Sequence, residues 1–249
     1  MKRSSICGLA ITLVAVAFMA ASAAVSLAAA KDAAKAPAAD KTPSPAQAPA
    51  KVDPNLPRVL IIGDSISIGY TEPVRKALAG KANVFRIPGN GQHTGTGVQK
   101  IDSWLGKEKW DVIHFNWGLW DVCHRTADGK EYDTEKVPPM ATLPQYEKNL
   151  RQLVARLKLT GARLVWATTT PVPDGSRGRI RGDEVKYNAV AEKIMKEQGV
   201  ATDDLYAAVL PRVGELQLPA NVHFTPQGYE FLGGQAAASI VKALEAKGK

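Results

Sequence analysis

Five short apolar runs, each followed by a longer polar or amphipathic stretch, constrain this chain more than any other feature. "RVLIIG" (58–63) is continuously apolar, too short for a helix and closed by a glycine, as a strand buried on both faces must be. "NVFRIP" (83–88), "WDVIHFNWG" (110–118), "ARLVWATTT" (162–170) and "VATDDLY" (200–206) repeat the pattern. The intervening stretches read as helices over 71–80, 98–106, 143–161, 183–199 and 225–248. Glycines at 80, 106, 161 and 199 stop four of them, while Thr225 and Pro226 open the last. Strands alternating with helices predict a mostly parallel five-stranded α/β sheet covered on both faces. Such sheets bind ligands beyond the C-terminal ends of their strands. At that edge fall Gly63-Asp64-Ser65, the glycine loop at 88–97, Asn116 to Asp121, Thr168 to Pro173, and His223.

The chain is 249 residues long, and its first 56 fit no packed element. Residues 1–30 have a basic start at Lys2 and Arg3, an apolar run and a small-residue end, the order of a signal peptide. The expected location is therefore exported, periplasmic or extracellular. Contact with a membrane is expected only if that segment is left uncleaved. Residues 31–56 are rich in Ala, Pro and Lys and read as a disordered linker, leaving 57–249 as the folded domain. The formal net charge is +8, of which the leader and linker carry part, and the domain has no dense Lys/Arg block. That argues against nucleic acid and favours an anionic partner such as an acidic glycan. With Cys7 in the leader, Cys123 stands alone and no internal disulfide is expected. No metal-ligand spacing occurs, so neither metal nor organic cofactor is expected.

Ser65 follows the first strand directly. As a nucleophile it needs a base within hydrogen-bond reach and donors for the oxyanion. His223, on a loop just ahead of a capped helix, is the candidate base. His114 lies inside a strand and reads as a packing residue, His124 as solvated in a charged loop, and His93 in the glycine loop as a possible substrate contact. "IPGNGQHTGTG" (87–97) is the candidate donor loop, because glycines let backbone N–H groups approach a ligand closely. Its spacing also sketches a dinucleotide loop, but it follows the second strand and no well-placed acid supports that reading.

These residues resemble the blocks of the SGNH hydrolases, the GDSL-type esterases and lipases. "GDSIS" is similar to their first block, "GNGQHTGTGV" to the second and "VHFTPQGY" to the last. The resemblance implies a flavodoxin-like three-layer α/β/α sandwich. It implies Ser65 as nucleophile, His223 as base, and the amides of Ser65 and Gly91 as the oxyanion hole. It further implies a secreted bacterial member acting on small acyl esters, acetyl above all, borne by carbohydrate. Asp64, Trp117, Trp120 and His93 are the candidate substrate contacts, the two tryptophans by stacking on sugar. The loop at 122–143 and Arg177, Arg179 and Arg181 are expected to shape specificity.

Two positions depart from the family pattern. Trp120 stands where the third block carries an oxyanion Asn, and Asn116 is the nearby substitute. Ala220 stands where the last block carries the acid behind the histidine. A backbone carbonyl is the expected acceptor for His223 Nδ1, with Asp121 or Asp174 as the other candidates. Asn221 also offers a side-chain oxygen, but it sits at a different phase of the loop from the usual acid. An acyltransferase on the same fold, or a glycan-binding protein on a decayed site, are the alternative readings.

Overall fold

The computed structural model describes residues 47–49 and 51–246; the segment read as a signal peptide and most of the linker lie outside them. The five expected strands form. They are β1 (Arg58–Ile62), β2 (Asn83–Arg86), β3 (Val112–Phe115), β4 (Arg163–Ala167) and β5 (Ala201–Asp203), in the order β2-β1-β3-β4-β5. Every pairing is parallel. The chain runs outward from β1 to β2, then crosses back to β3, so the order reverses between β1 and β3. In an open parallel sheet a crevice opens at that point.

Successive strand residues face opposite sides. Leu60, Ile62, Ile113 and Phe115 enter one core with Ile101, Leu150 and Ile194, from α2 (Thr94–Leu105), α3 (Leu143–Lys158) and α4 (Asp183–Gln198). Val59, Ile61, Val112 and Val165 enter the other with Val74 and Ile240, from α1 (Ser65–Ala77) and the last long helix (Pro226–Glu245). Short helices α5 (Leu205–Val209) and α6 (Val213–Leu216) lead to that last helix, α7. The result is the three-layer sandwich expected. Each such aliphatic side chain contributes about 1.5–3 kcal/mol on leaving water.

Several boundaries differ from the sequence reading; α2, for one, starts at Thr94 rather than Val98. α1 starts at Ser65, not Thr71, because the Asp64 carboxylate caps it by accepting the Ile66 N–H at 2.9 Å. Gly69 and Pro73 lie inside α1, where it meets α7. A Cβ on Gly69 would collide with the Tyr229 ring, and one on Gly233 with Pro73. The fifth strand ends at Asp203, since Asp204 caps α5 through the Ala207 N–H. The packed body also begins before Pro57. Gln47 bridges Arg86 at the edge of β2, and Asn83 donates to the Asp53 and Leu56 carbonyls.

Candidate active site

Ser65 opens α1 directly beyond β1, and its Oγ lies 2.9 Å from His223 Nε2. The two residues are 158 positions apart, so only the fold brings them together. His223 precedes α7 on a turn pinned at both sides. Leu218 N–H donates to the His223 carbonyl, and Thr225 N–H donates to the Leu216 carbonyl. The His223 Nδ1 partner is Asn221 Oδ1, at 2.7 Å, and the same oxygen accepts the His223 backbone N–H at 3.0 Å. The backbone N–H donor marks that atom as the amide oxygen, which can only accept. The proton therefore sits on Nδ1, and Nε2 is free to accept from Ser65.

This arrangement corrects the expected third member. Asn221 takes the place assigned to a backbone carbonyl. It reaches the ring because Ala220 adopts φ +51°, which swings the chain so that a position two before the histidine faces it. Asp121 is elsewhere. It is fully buried, accepts the Thr94 N–H and Oγ–H at 2.9 and 2.6 Å, and caps the glycine loop onto α2. Burial pushes its carboxyl up to about 7. Asp174 pairs with Arg181 at 2.6 Å on the surface.

The oxyanion assignments also change. The Gly91 N–H points back into the sheet and donates to the Gly63 carbonyl at 2.9 Å. A Cβ on Gly91 would lie 2.7 Å from that oxygen, so glycine is needed there for close approach. Asn116 turns its amide nitrogen to the Ala167 carbonyl at 2.8 Å and lines a small internal void, not the cleft holding Ser65 and His223. Ser65 N–H, in the first turn of α1, meets no acceptor among the described residues. Gln92 adopts φ +51°, and its N–H donates only to the Asn90 side chain at 2.8 Å.

Sequence reasoning missed the residue that joins these pieces. Arg86, at the end of β2, is buried beneath the turn. Its Nη1 donates to the Ile87 and Gly89 carbonyls, at 2.7 and 2.6 Å. Its Nη2 reaches the Gly63 and Asp64 carbonyls and Ser67 Oγ, at 3.2, 3.3 and 3.1 Å. One guanidinium thus ties the nucleophile turn to the glycine loop. The signal in the sequence was an arginine inside an otherwise apolar strand, which is tolerated only where carbonyls gather around it.

The cleft itself has a volume of about 150 Å³ and is lined by Asp64, Ser65, Trp120, Tyr132, Arg179 and His223, among others. Trp120 is thus placed as expected, against the site. Trp117 is not: it is 1% exposed, packs on Gly97 and Phe115, and presents no face to a sugar. Asp64 reaches the cleft wall, but one oxygen is used as the helix cap. Burial raises its pKa, while the Ile66 N–H and the nearby Arg179, His223 and Arg86 pull it back. His93 caps α2 through Nδ1, with its pKa lowered by burial, and does not line the cleft. His124 is buried rather than solvated, with Nδ1 bonded to the Val137 carbonyl at 2.6 Å. Among the described residues no three His, Cys, Asp or Glu side chains gather as a metal site.

A serine hydroxyl thus lies within hydrogen-bond reach of a histidine ring nitrogen at the switch point of a parallel sheet, where such folds bind ligands. Residues 61–231 match the family model of the GDSL-like Lipase/Acylhydrolase family, and the chain belongs to that family. It is thereby an ester-bond hydrolase. A search of curated protein sequences finds no match. Among solved structures the chain is similar to a lipase/acylhydrolase from Enterococcus faecalis, at 20% identity and TM-score 0.63, covering 78% of this chain and 100% of that one. It is also similar to an acetylxylan esterase from Geobacillus stearothermophilus, at 19% identity and TM-score 0.57, covering 77% and 95%. A second acetyl xylan esterase, AlAXEase, aligns at 18% identity and TM-score 0.57 over 74% and 99%. These likenesses agree in the fold.

Proposed function

We propose that the protein is an exported serine esterase that removes small acyl groups, acetyl foremost, from carbohydrate. One observation carries this reading: Ser65 Oγ at 2.9 Å from His223 Nε2, with Nδ1 held by Asn221 at 2.7 Å. Ser65 attacks the ester carbonyl as its proton passes to His223 Nε2. The tetrahedral oxyanion lies at the N-terminus of α1, where the Ser65 N–H and the helix dipole favour negative charge. His223 then protonates the departing sugar hydroxyl, leaving an acyl-Ser65. Water, deprotonated by His223, attacks that acyl group, and the carboxylic acid leaves as the serine regains its proton.

A cleft of about 150 Å³ suits a short acyl chain better than a fatty one. The acetyl-sugar substrate rests on the two acetyl xylan esterase neighbours and on Trp120 beside the nucleophile. Export rests on residues 1–30 and is tested by N-terminal sequencing of the protein recovered outside the cytoplasm.

The mechanism is tested with a fluorophosphonate probe, which reacts with activated serines. Labelling of the wild type and none of Ser65→Ala is the expected result. An unlabelled wild type would support the reading of a glycan-binding protein on the same fold.

A further inference from the structure

Arg179 lines the cleft, and Arg125 and Arg177 stack on its lining residues Trp120 and Tyr132; among the described residues none of the three has a carboxylate partner within salt-bridge distance. They come from two loops, one after β3 and one after β4. The loops are joined by His124 N–H donating to the Gly178 carbonyl at 2.7 Å and by Arg179 Nε donating to the Leu119 carbonyl at 2.7 Å. Arg125 lies over Trp120 at 5.1 Å and over Tyr132 at 5.4 Å, while Arg177 lies over Tyr132 at 4.1 Å. Two glycines make room for this stack. A Cβ on Gly129 would collide with the Arg125 guanidinium, and one on Gly178 would lie 2.7 Å from Tyr132. Arg181, on the same loop, is neutralised by Asp174 at 2.6 Å, so the unpaired state of the other three is not simply the loop's composition. Among the described residues the only carboxylate lining the cleft is Asp64, buried and used as a cap. Cys123 lies beneath all three guanidiniums, which oppose the upward shift that burial gives its thiol.

Like charges gathered without counter-ions repel; here aromatic faces hold Arg125 and Arg177, while the Leu119 and Arg177 carbonyls hold Arg179 and leave its Nη2 free. Stacking fixes a guanidinium's plane while leaving its N–H edges free. Such an edge matches a carboxylate in two parallel hydrogen bonds. We infer that Arg125, Arg177 and Arg179 bind a carboxylate on the ester-bearing glycan. The preferred substrates are then acylated oligosaccharides containing uronic acid, rather than neutral acylated xylan. This rests on the esterase reading and names its substrate class.

The test compares kcat/KM for acetylated oligogalacturonide and acetylated xylo-oligosaccharide at low and high salt. The acidic substrate is expected to be favoured by about tenfold or more at low ionic strength, with the preference collapsing as salt screens the charges. Arg177→Gln, at an exposed position, lowers the ratio at least about threefold, and Arg177→Lys restores it only in part because a lysine lacks the planar fork. Arg163→Gln, at the opposite end of the sheet, leaves the ratio unchanged. Equal kcat/KM for both substrates at both salts overturns the proposal and leaves the esterase reading standing. Calorimetric titration of Ser65→Ala with unacetylated trigalacturonate and xylotriose separates the two ideas. Salt-sensitive binding of the acid alone, weakened by adding Arg177→Gln, supports the arginine site even in a protein that hydrolyses neither ester. Equal binding of both sugars, or of neither, sinks it.

Discussion

Two histidines in this molecule have nearly the same polar geometry and opposite surroundings. His114, in the middle of β3, holds Asp203 at 2.9 Å, with both side chains fully buried and the Tyr70 ring set edge-on at 6.0 Å. His223 holds Asn221 at 2.7 Å beside the cleft. The histidine–carboxylate pair, the familiar half of a catalytic triad, thus lies in the core where no nucleophile or substrate reaches it. The histidine beside the nucleophile has a neutral amide. A carboxylate next to a histidine does not by itself mark a site; a nucleophile and access do. The difference also separates two duties of the triad acid. In the proposed mechanism Asn221 serves the first, fixing tautomer and ring orientation. It performs the second, steadying the imidazolium, only weakly, because an amide dipole is no substitute for a full charge.

The contrast breaks first at the nucleophile. Ser65→Ala and His223→Ala each lower turnover of a short acyl ester by about 10⁴ or more, with unfolding midpoints near wild type. Wild-type-like hydrolysis by Ser65→Ala would move the reaction elsewhere. Asp203→Ala acts on the other histidine and in the opposite way. It leaves a buried imidazole without its partner and destabilises the fold by about 3–5 kcal/mol, as read by urea unfolding, while turnover per folded molecule stays within about twofold. A large loss of turnover in protein still folded would mean that the two histidines are coupled.

Asn221 sharpens the comparison. Asn221→Ala frees the ring and lowers kcat by about 10- to 100-fold, a loss of roughly 1.4–2.7 kcal/mol. Asn221→Asp supplies the missing charge. It raises kcat by about tenfold and moves the acidic limb of the pH–rate profile to higher pH, because a neighbouring carboxylate favours imidazolium. An unmoved limb would show that the residue at 221 does not touch His223 in solution.

Asp121 gives the smallest effect. Its folded pKa, about 7, lies above the ordinary aspartate value of 3.8, so the native state holds a proton that the unfolded chain releases first. Its contribution to stability is greatest at low pH and is lost as pH rises from about 4 to about 7. Asp121→Asn mimics the protonated form. The variant gains about 1–2 kcal/mol relative to wild type between pH 5 and pH 8 by urea unfolding, with turnover changed less than tenfold. A constant difference across that range would mean that Asp121 is ionised throughout.

Much of this is legible in the sequence alone. The strand at 58–63 was readable because a strand buried on both faces must be apolar throughout, and the stop at Gly63 marked the sheet edge where Ser65 lies. His223 was readable because Thr225 and Pro226 announce a helix start just beyond it. The beginning of α1 was not readable, since Thr71 followed by Pro73 has the form of a helix start, whereas the cap is Asp64. Nor could the sequence divide Trp117 from Trp120. Three positions apart at a strand end, one turns into the core and the other to the cleft.

Short-range pattern thus determined the α/β class, the sheet edge that carries the site, and the serine and histidine that occupy it. These follow from periodicity and capping, which act between near neighbours along the chain. Only the tertiary structure decided that Asn221 rather than a carbonyl or an aspartate holds His223, that Gly91 faces Gly63, and that Arg86 joins the two loops. It also decided that Arg125, Arg177 and Arg179 meet unpaired at one mouth. Each of these depends on the direction of a side chain or N–H after a loop has turned. A single residue at φ +51°, such as Ala220, is enough to redirect it.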